Sequence, residues 1–209
     1  MEVQEMEKKI HWLGHDTFRI DGSKVIYFDP YEIQEGPKAD LVLITHDHFD
    51  HCVPPDVKKV QKADTIIVTE SNSARKLEGD IRKIKPGDSV TIEGVTIEGV
   101  PAYNTDKEFH PKANGWLGFI VTIDGVRIYH SGDTDFIPEM KEMDVDIAML
   151  PVSGTYVMDA DQAVEAARAL HPKLAIPMHY GAIVGDDSDA QQFKKALEGT
   201  VAVKILPKE

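Results

Sequence analysis

Three histidines and two aspartates fall within the segment His46–His51, whose sequence is HDHFDH. Imidazole nitrogen is a good ligand for zinc and related ions, and carboxylate oxygen can complete a charged hydrolytic site. In an extended segment, His46 and His48 project to the same side, because side chains alternate with a period of two. Both can therefore bind one ion, whereas a turn into a helix would carry Asp50 and His51 to a neighbouring ion. The spacing favours two metals.

Two ions need more ligands than one loop supplies, and three later residues have suitable types at predicted strand ends: His110, Asp133 and His179. A carboxylate has two oxygens and can bridge ions at the separation of about 3.5–4 Å found in two-metal hydrolases. Asp133 is therefore the predicted bridge, with Asp135 as the alternative in the same segment.

The order of these residues, H-x-H-x-D-H followed by a histidine, Gly-Asp-Thr and a last histidine, resembles the metallo-β-lactamase superfamily. Other segments narrow the likeness to a branch of metal-dependent hydrolases related to L-ascorbate-6-phosphate lactonase and to N-acylphosphatidylethanolamine phospholipase D-like proteins. Those segments are Gly14-His15, Asp29-Pro30, Ala102-Tyr103-Asn104, Tyr129–Asp135 and Pro177–Tyr180. The resemblance extends from Trp12 to about Ile205.

The resemblance implies a four-layer αββα sandwich, an α/β fold, and a ligand set divided between two metals. The first metal is assigned His46, His48 and His110, the second is assigned Asp50, His51 and His179, and Asp133 lies between them. Asp29 matches an aspartate that supports the metal-binding loop without ligating. All seven ligand positions hold ligand-type residues, so the sequence does not indicate an inactive pseudoenzyme.

Two adjacent cations lower the pKa of a shared water and polarise the oxygen of the group under attack, which is the chemistry of hydrolysis. Asp50 is predicted to orient the hydroxide or to receive its proton, in addition to ligating. A nearby donor would assist the developing oxyanion. His15 is the predicted donor, and His130 and Tyr180 are the alternatives.

The leading interpretation is a dinuclear hydrolase of a small ester, lactone or phosphodiester, and the resemblance favours a lactone or a phosphorylated small molecule. A tRNA-processing-type phosphodiesterase and a non-catalytic metal-binding protein are the alternatives. Diiron redox proteins on the same scaffold replace the second histidine with glutamate, and that position here is His48. Zinc is the expected metal, with manganese or iron as alternatives.

The composition of the chain limits the kinds of partner that it can bind. The chain has 209 residues, 23 Lys and Arg against 36 Asp and Glu, and a formal net charge of −13, which disfavours binding to long nucleic acids. No apolar run approaches the roughly 18–20 residues that span a bilayer, and the N-terminus has no export signal. The single cysteine, Cys52, excludes an intramolecular disulfide. We expect a cytoplasmic protein that acts on a small molecule, with homo-oligomers plausible.

Short β-type runs separated by turns predict one continuous domain over residues 1–209. The predicted strands are Lys24–Asp29, Leu41–Thr45, Thr65–Thr69, Ser89–Ile92, Val95–Val100, Leu117–Ile123, Val126–His130, Asp146–Leu150, Leu174–Met178 and Val201–Leu206. Asp124-Gly125 and Glu93-Gly94 suit hairpin turns. One helix is predicted from Asp159, which forms a capping box with Gln162. A second is predicted over Ser188–Glu198, ending at Gly199.

Overall fold

The computed structural model describes residues 1–209. The α-helices are α1 (Val3–Glu7), α2 (Pro54–Val60), α3 (Ser71–Ala74), α4 (Ala160–Leu170) and α5 (Asp187–Ala196). The strands are β1 (Ile10–Gly14), β2 (Thr17–Asp21), β3 (Val25–Phe28), β4 (Leu41–Ile44), β5 (Ile66–Thr69), β6 (Asp80–Lys83), β7 (Ser89–Ile92), β8 (Val95–Pro101), β9 (Leu117–Ile123), β10 (Val126–His130), β11 (Ile147–Pro151) and β12 (Leu174–Met178). No helix combines the length and apolar character needed to cross a bilayer.

The strands form two six-stranded sheets, ordered β1-β2-β3-β4-β5-β6 and β12-β11-β10-β9-β8-β7. Alternation along β4 divides its side chains between two environments, because neighbouring residues point to opposite faces. Leu41 and Leu43 join the large core that also contains residues of the second sheet. Val42 and Ile44 pack with Val57 of α2 in a smaller cluster on the outer face. A helix layer therefore covers the outer face of the first sheet.

Helix α4 covers the outer face of the second sheet and contacts β11, while α5 contacts both α4 and β12. The buried positions of α4 include Ala163, Val164 and Ala167, which have the spacing of one helix face. The predicted capping box between Asp159 and Gln162 is present. The αββα sandwich predicted from the sequence is thereby confirmed.

The direction of the strands explains where functional loops can meet. β3, β4, β5 and β6 run parallel to one another, and so do β10, β11 and β12. Parallel strands end on the same edge of their sheet, so the loops that follow them are neighbours even when they are far apart in sequence. The two parallel regions thus supply loops to one end of the sandwich.

One predicted strand, Val201–Leu206, is wrong. The segment makes a single bridge to β12, in which the Ala175 N–H donates to the Ala202 carbonyl and the Lys204 N–H donates to the Ala175 carbonyl. The next donor of β12 on this edge would be residue 177, but Pro177 has no N–H. Pairing therefore stops after one residue, and β12 remains the edge of its sheet.

Sequence interpretation also missed three strands and misplaced one helix end. β1 and β2 form an antiparallel hairpin, and β6 is a largely exposed edge strand. Helix α5 ends at Ala196 rather than Glu198. The two predicted hairpin turns are correct, since Asp124 and Glu93 both take positive φ before a glycine.

Candidate metal centre

All of the predicted site residues lie at one end of the sandwich, in loops that follow strands. The segment His46–His51 follows β4, His110 lies in the loop between β8 and β9, Asp133 follows β10 and His179 follows β12. His179 takes a positive φ of 59°, a backbone conformation that costs free energy in a residue other than glycine. The surrounding structure holds this residue in a strained conformation at the site.

Three histidines form the first cluster. Ligand nitrogens of His46, His48 and His110 all lie within 4.8 Å of one another. The ring of Trp116 packs against all three, with a centroid separation of 4.7 Å from the His48 ring. This side chain restricts the orientation of the three imidazoles, which can therefore converge on one ion.

Asp133 connects this cluster to a second group of ligands. Its Oδ2 lies 3.1 Å from Nε2 of His110 and 3.4 Å from Nε2 of His179. Its Oδ1 lies 3.4 Å from Nε2 of His51. One carboxylate thus faces the first cluster and the second group at the same time, which is the geometry of a bridging ligand.

Asp50 and His15 complete the second group. Oδ2 of Asp50 lies 3.2 Å from Nε2 of His15 and 3.9 Å from Nε2 of His51. A ligand nitrogen of His15 also lies within 4.8 Å of those of His51 and His179. Both predicted catalytic residues are therefore inside the cluster, and they contact each other.

Each of the four fully buried histidines assigned as metal ligands has its Nδ1 held by a neighbouring oxygen, whereas Nδ1 of the equally buried His15 has no partner. His51 Nδ1 lies 2.9 Å from Oδ2 of Asp29, and His46 Nδ1 lies 3.0 Å from Oγ1 of Thr45. The Thr45 hydroxyl in turn donates to Asp29 at 2.6 Å. Asp29 thus supports the metal-binding loop through Thr45 and His51, and its oxygens are engaged by these two residues.

The other two buried histidines are held by residues that the sequence interpretation did not assign to this task. His110 Nδ1 lies 3.1 Å from Oδ1 of Asn104 and 3.2 Å from the carbonyl of Tyr156. His179 Nδ1 lies 2.8 Å from Oγ of Ser153. Outer hydrogen bonds of this kind fix the tautomer and direct Nε2 toward a metal.

The inward-facing atoms fit a bound cation. His46 Nε2, His51 Nε2, His110 Nε2 and Asp133 Oδ1 are buried and have no hydrogen-bond partner. A buried polar atom without a partner costs about 1–3 kcal/mol, and divalent cations of the zinc type bind this combination of nitrogen and oxygen donors. The residues present therefore fit divalent metal ions.

The electrostatics of the two clusters differ. Burial lowers the pKa of His46, and the neighbouring histidines lower it further, so its imidazole is neutral and able to ligate. Burial alone would lower the pKa of His51 and His179, but the neighbouring carboxylates together raise both pKa values, Asp133 with Asp29 acting on His51 and Asp133 with Asp16 acting on His179. The second cluster thus favours positive charge, whether as protons on imidazoles or as a divalent cation.

Several known proteins are similar to this chain in sequence. A sequence model of the Beta-lactamase superfamily domain matches residues 9–179. A UPF0173 metal-dependent hydrolase of Thermoplasma acidophilum is 35% identical over 213 residues, covering 95% of this chain and 94% of that protein. This chain belongs to the metallo-β-lactamase superfamily.

Solved structures agree with this membership. A protein from Parabacteroides distasonis is 39% identical and superposes with a TM-score of 0.84, covering 94% of this chain and 91% of that one. A metallo hydrolase from Ignicoccus hospitalis is 25% identical with a TM-score of 0.76, covering 95% and 94%. Metal-dependent hydrolysis is the activity class of this superfamily member. The narrower likeness to the lactonase branch stays a prediction.

In this member of the superfamily, Asp16 is a site residue that the sequence interpretation missed. It is 1% exposed, and neither carboxylate oxygen has a hydrogen-bond partner. A carboxylate oxygen lies within 4.8 Å of ligand atoms of Asp133 and His179, and in a second grouping of those of Asp29 and His51. Burial raises its pKa well above the usual value. No periodicity marks this residue, although it directly follows His15.

The alternatives to the predicted residues lie outside the clusters. Asp135 is an ion-pair partner, 2.7 Å from Nζ of Lys107. The His130 ring stacks on Phe28 in the core, with ring centroids 4.8 Å apart, and Tyr180 stacks on a tryptophan at 4.8 Å. The buried Cys52 is likewise absent from the groups of ligand atoms.

A pocket of about 310 Å³ opens above the cluster. His48, Asp50, His110 and Asp133 form its floor, and Phe49, Phe109, Tyr156 and Ile183 form its wall. This volume is at the lower end of the roughly 300–1,000 Å³ range of small-molecule sites. The metal-ligand cluster is therefore accessible from solvent through a cleft sized for a small substrate.

Proposed function

We propose that this protein is a dinuclear hydrolase that directs an activated water at a small ester, lactone or phosphodiester. His46, His48 and His110 would hold the first ion, and the second would be held by Asp50, His51 and His179. Asp133 would bridge the two ions. The supporting observation is the set of inward-facing nitrogens without partners on both sides of one buried carboxylate. Zinc is the first expected metal, with manganese or iron as alternatives.

When bound, two divalent ions supply an acidified water and polarise the oxygen of the group under attack. The overall reaction is balanced by water alone. A bond forms between the water oxygen and the acyl carbon or phosphorus, and the bond to the leaving oxygen breaks. The electron pair of the broken bond stays on the leaving oxygen, which takes up a proton from the attacking water. No oxidant or reductant is required.

Asp50 is placed to orient water and to hold its proton, because it belongs both to the ligand cluster and to the floor of the pocket. Burial alone would raise the pKa of Asp50, but the hydrogen bond from His15 and the charge of His51 bring it below the usual value. The carboxylate is therefore ionised at neutral pH.

His15 acts in this proposal as a positioning residue. Burial lowers its pKa to about 4, so at neutral pH the imidazole is uncharged and its Nε2–H donates to Asp50 at 3.2 Å. That hydrogen bond fixes the orientation of the Asp50 carboxylate. The predicted role of His15 as an oxyanion donor is less favoured, because the nitrogen nearest the site is already engaged.

The charge of the second cluster also favours a divalent cation. Asp16, Asp50 and Asp133 place three carboxylates around His51 and His179. Carboxylates buried together repel one another unless cations compensate them. We include Asp16 among the groups that stabilise the second ion, either as a ligand or through its charge alone.

The tRNA-processing alternative is less favoured by this site. No Lys or Arg lines the pocket, and the chain carries a net charge of −13. A polynucleotide substrate needs cationic contacts along its phosphates. The proposed partner is therefore a small molecule.

The test combines metal analysis with turnover. Elemental analysis of the purified protein should give two equivalents of metal, and chelation should abolish hydrolysis of a panel of esters, lactones and phosphodiesters. His48→Ala should lose one equivalent and Asp133→Ala both, with activity reduced by at least about 100-fold. His11→Ala is the matched control, because this histidine pairs with Asp21 and Glu209 at the surface.

Two outcomes would contradict the proposal. Full metal content and full activity in both site variants would refute the ligand assignment. A fully metallated wild-type protein that is inert toward every substrate class would favour the non-catalytic metal-binding alternative.

A further inference from the structure

The pocket above the metal-ligand cluster has an exposed apolar wall. Only four large apolar side chains of the protein are exposed, and three of them are Phe49 at 73%, Phe109 at 50% and Ile183 at 37%. All three line this pocket, whereas the fourth, Met1, lies elsewhere. Exposed large apolar groups concentrated at one cleft mark a binding surface rather than ordinary surface composition.

The three side chains come from three separate loops. Phe49 lies in the loop after β4, Phe109 in the loop between β8 and β9, and Ile183 in the loop between β12 and α5. The same three loops carry metal-ligand residues, so the wall and the floor of the pocket are built together.

Part of this wall is fixed relative to the ligands. The Phe109 ring meets the Tyr156 ring edge to face, with centroids 4.8 Å apart and planes at 90°. The Tyr156 carbonyl accepts a hydrogen bond from Asn104 at 2.9 Å and lies 3.2 Å from Nδ1 of His110. An apolar group bound on these rings would therefore have a defined position over the cluster.

No cationic side chain is available to bind an anionic substrate. The pocket is lined by neither Lys nor Arg, and the lysines of the nearby segments are paired with carboxylates. These pairs are Lys76 with Asp47 at 3.0 Å, Lys107 with Asp135 at 2.7 Å and Lys112 with Glu139 at 2.8 Å. Protein sites for phosphate and carboxylate groups use charge-assisted hydrogen bonds from such residues. The wall suits an uncharged group instead.

We propose that the substrate is an uncharged carboxylic ester or lactone whose apolar arm binds against Phe49, Phe109 and Ile183. This inference rests on the proposed hydrolase function and narrows its substrate class. The pocket of about 310 Å³ corresponds to roughly ten water volumes of about 30 Å³ each, enough for the ester group and an arm of several carbons. Water adds to the acyl carbon, the acyl C–O bond breaks, and the leaving alcohol keeps the electron pair and takes up the proton.

The first test compares three lactones on the metal-loaded wild-type protein. γ-Decalactone carries a six-carbon arm, γ-butyrolactone has no arm, and 6-phosphogluconolactone carries an anionic one. The expected kcat/KM is at least about tenfold higher for γ-decalactone than for γ-butyrolactone, with the phosphorylated lactone the poorest of the three. Equal values for the two uncharged lactones, or a preference for the phosphorylated one, would overturn the proposal.

The second test locates the arm. In Phe49→Ala and Ile183→Ala, the ratio of kcat/KM for γ-decalactone to that for γ-butyrolactone should fall about tenfold, mainly through KM. Ile205→Ala is the matched control, because this residue is a partly buried isoleucine outside the pocket, and its ratio should stay within about twofold of wild type. An unchanged ratio in both pocket variants would refute the assignment of the wall.

A binding measurement separates failure of this inference from failure of the proposed function. If no ester or lactone is hydrolysed, calorimetry with the non-hydrolysable γ-lactam bearing a six-carbon arm still reports on the wall. Binding with a negative heat-capacity change that is lost in Phe49→Ala would support the apolar site and refute the hydrolysis of esters and lactones. Absence of binding would overturn the apolar site. A wild-type oligomer that dissociates in Phe49→Ala would assign the ring to a subunit interface and also overturn it.

Discussion

Replacement of Asp16 by Asn should stabilise the metal-free protein and weaken its metal binding. The side chain is buried, and both of its oxygens lack hydrogen-bond partners. One oxygen lies within 4.8 Å of an oxygen of Asp133. Without a cation, Asp16 therefore adds repulsion, whereas with a divalent cation nearby the same charge is attractive.

The magnitude follows from this separation. At 4.8 Å, the largest separation that this contact allows, two unit charges repel by about 3.5 kcal/mol at an effective dielectric constant of about 20, which sets the order of magnitude of the gain for Asp16→Asn. In a protein of this size, about 1 kcal/mol corresponds to about 2–4 °C in Tm, so the metal-free variant should melt about 7–14 °C higher. Loss of the carboxylate should reduce metal affinity about 10–100-fold.

The stabilisation of Asp16→Asn should grow with pH. Burial raises the pKa of Asp16 above its usual value of 3.8, so in the metal-free wild type its carboxyl is best tolerated below pH 3.8. Between the unfolded-state and the folded-state pKa, the unfolded chain releases this proton while the folded protein keeps it. The free energy of unfolding of the wild type therefore falls as the pH rises through this interval. Asparagine does not titrate, and the difference between the two proteins should therefore increase over this interval.

Urea unfolding of chelator-treated protein, followed by circular dichroism at two pH values, measures the stability difference. Competition with a chromophoric chelator measures zinc affinity. Asp29→Asn is the matched control, because Asp29 is equally buried but accepts hydrogen bonds at 2.7 and 2.6 Å from Thr45 and contacts His51 at 2.9 Å. This control should lose about 1–3 kcal/mol in the metal-free state.

Asp16→Asn and Asp29→Asn should therefore shift the stability of the metal-free protein in opposite directions. If Asp16→Asn destabilised the metal-free protein as Asp29→Asn does, and zinc affinity were unchanged, Asp16 would be an ordinary structural residue.

Three further predictions concern other parts of the protein. Burial raises the pKa of Cys52 to about 11, so iodoacetamide at pH 7.5 should label the native thiol at least about 100-fold more slowly than the unfolded chain; a native rate within about tenfold of the unfolded rate would contradict the buried position. Ser153→Ala removes the oxygen 2.8 Å from Nδ1 of His179 and should weaken metal binding about 10–100-fold. Ser153→Thr, which keeps the hydroxyl, should recover part of the affinity. Metal titrations of Ser153→Ala that match wild type would show that this contact does not affect binding. Asp159→Ala breaks the capping box with Gln162 and should cost about 0.5–2 kcal/mol in urea unfolding while metal content stays at the wild-type level; a loss of metal would show that α4 positions the site.

Local pattern was enough to predict much of the fold and to select the candidate ligands. The Asp124-Gly125 turn and the Asp159 cap depend on neighbours within a few residues, and the structure has both. The HDHFDH segment could be assigned to metal chemistry because its residue types and spacing are local properties. Val201–Leu206 failed as a strand because its pairing depended on a missing N–H in Pro177, which is distant in sequence.

Only the tertiary structure placed Asp16 beside Asp133, Ser153 beside His179, and three apolar side chains at one opening. Asp16, Ser153 and Ile183 have no periodicity or motif of their own, and these contacts join loops of different strands at one end of the sandwich. The sequence by itself determined which side chains can ligate a metal and which local turns and caps form. The packing of the two sheets decided which long-range neighbours would orient those ligands and which groups would face the substrate, because such contacts depend on where distant strands end.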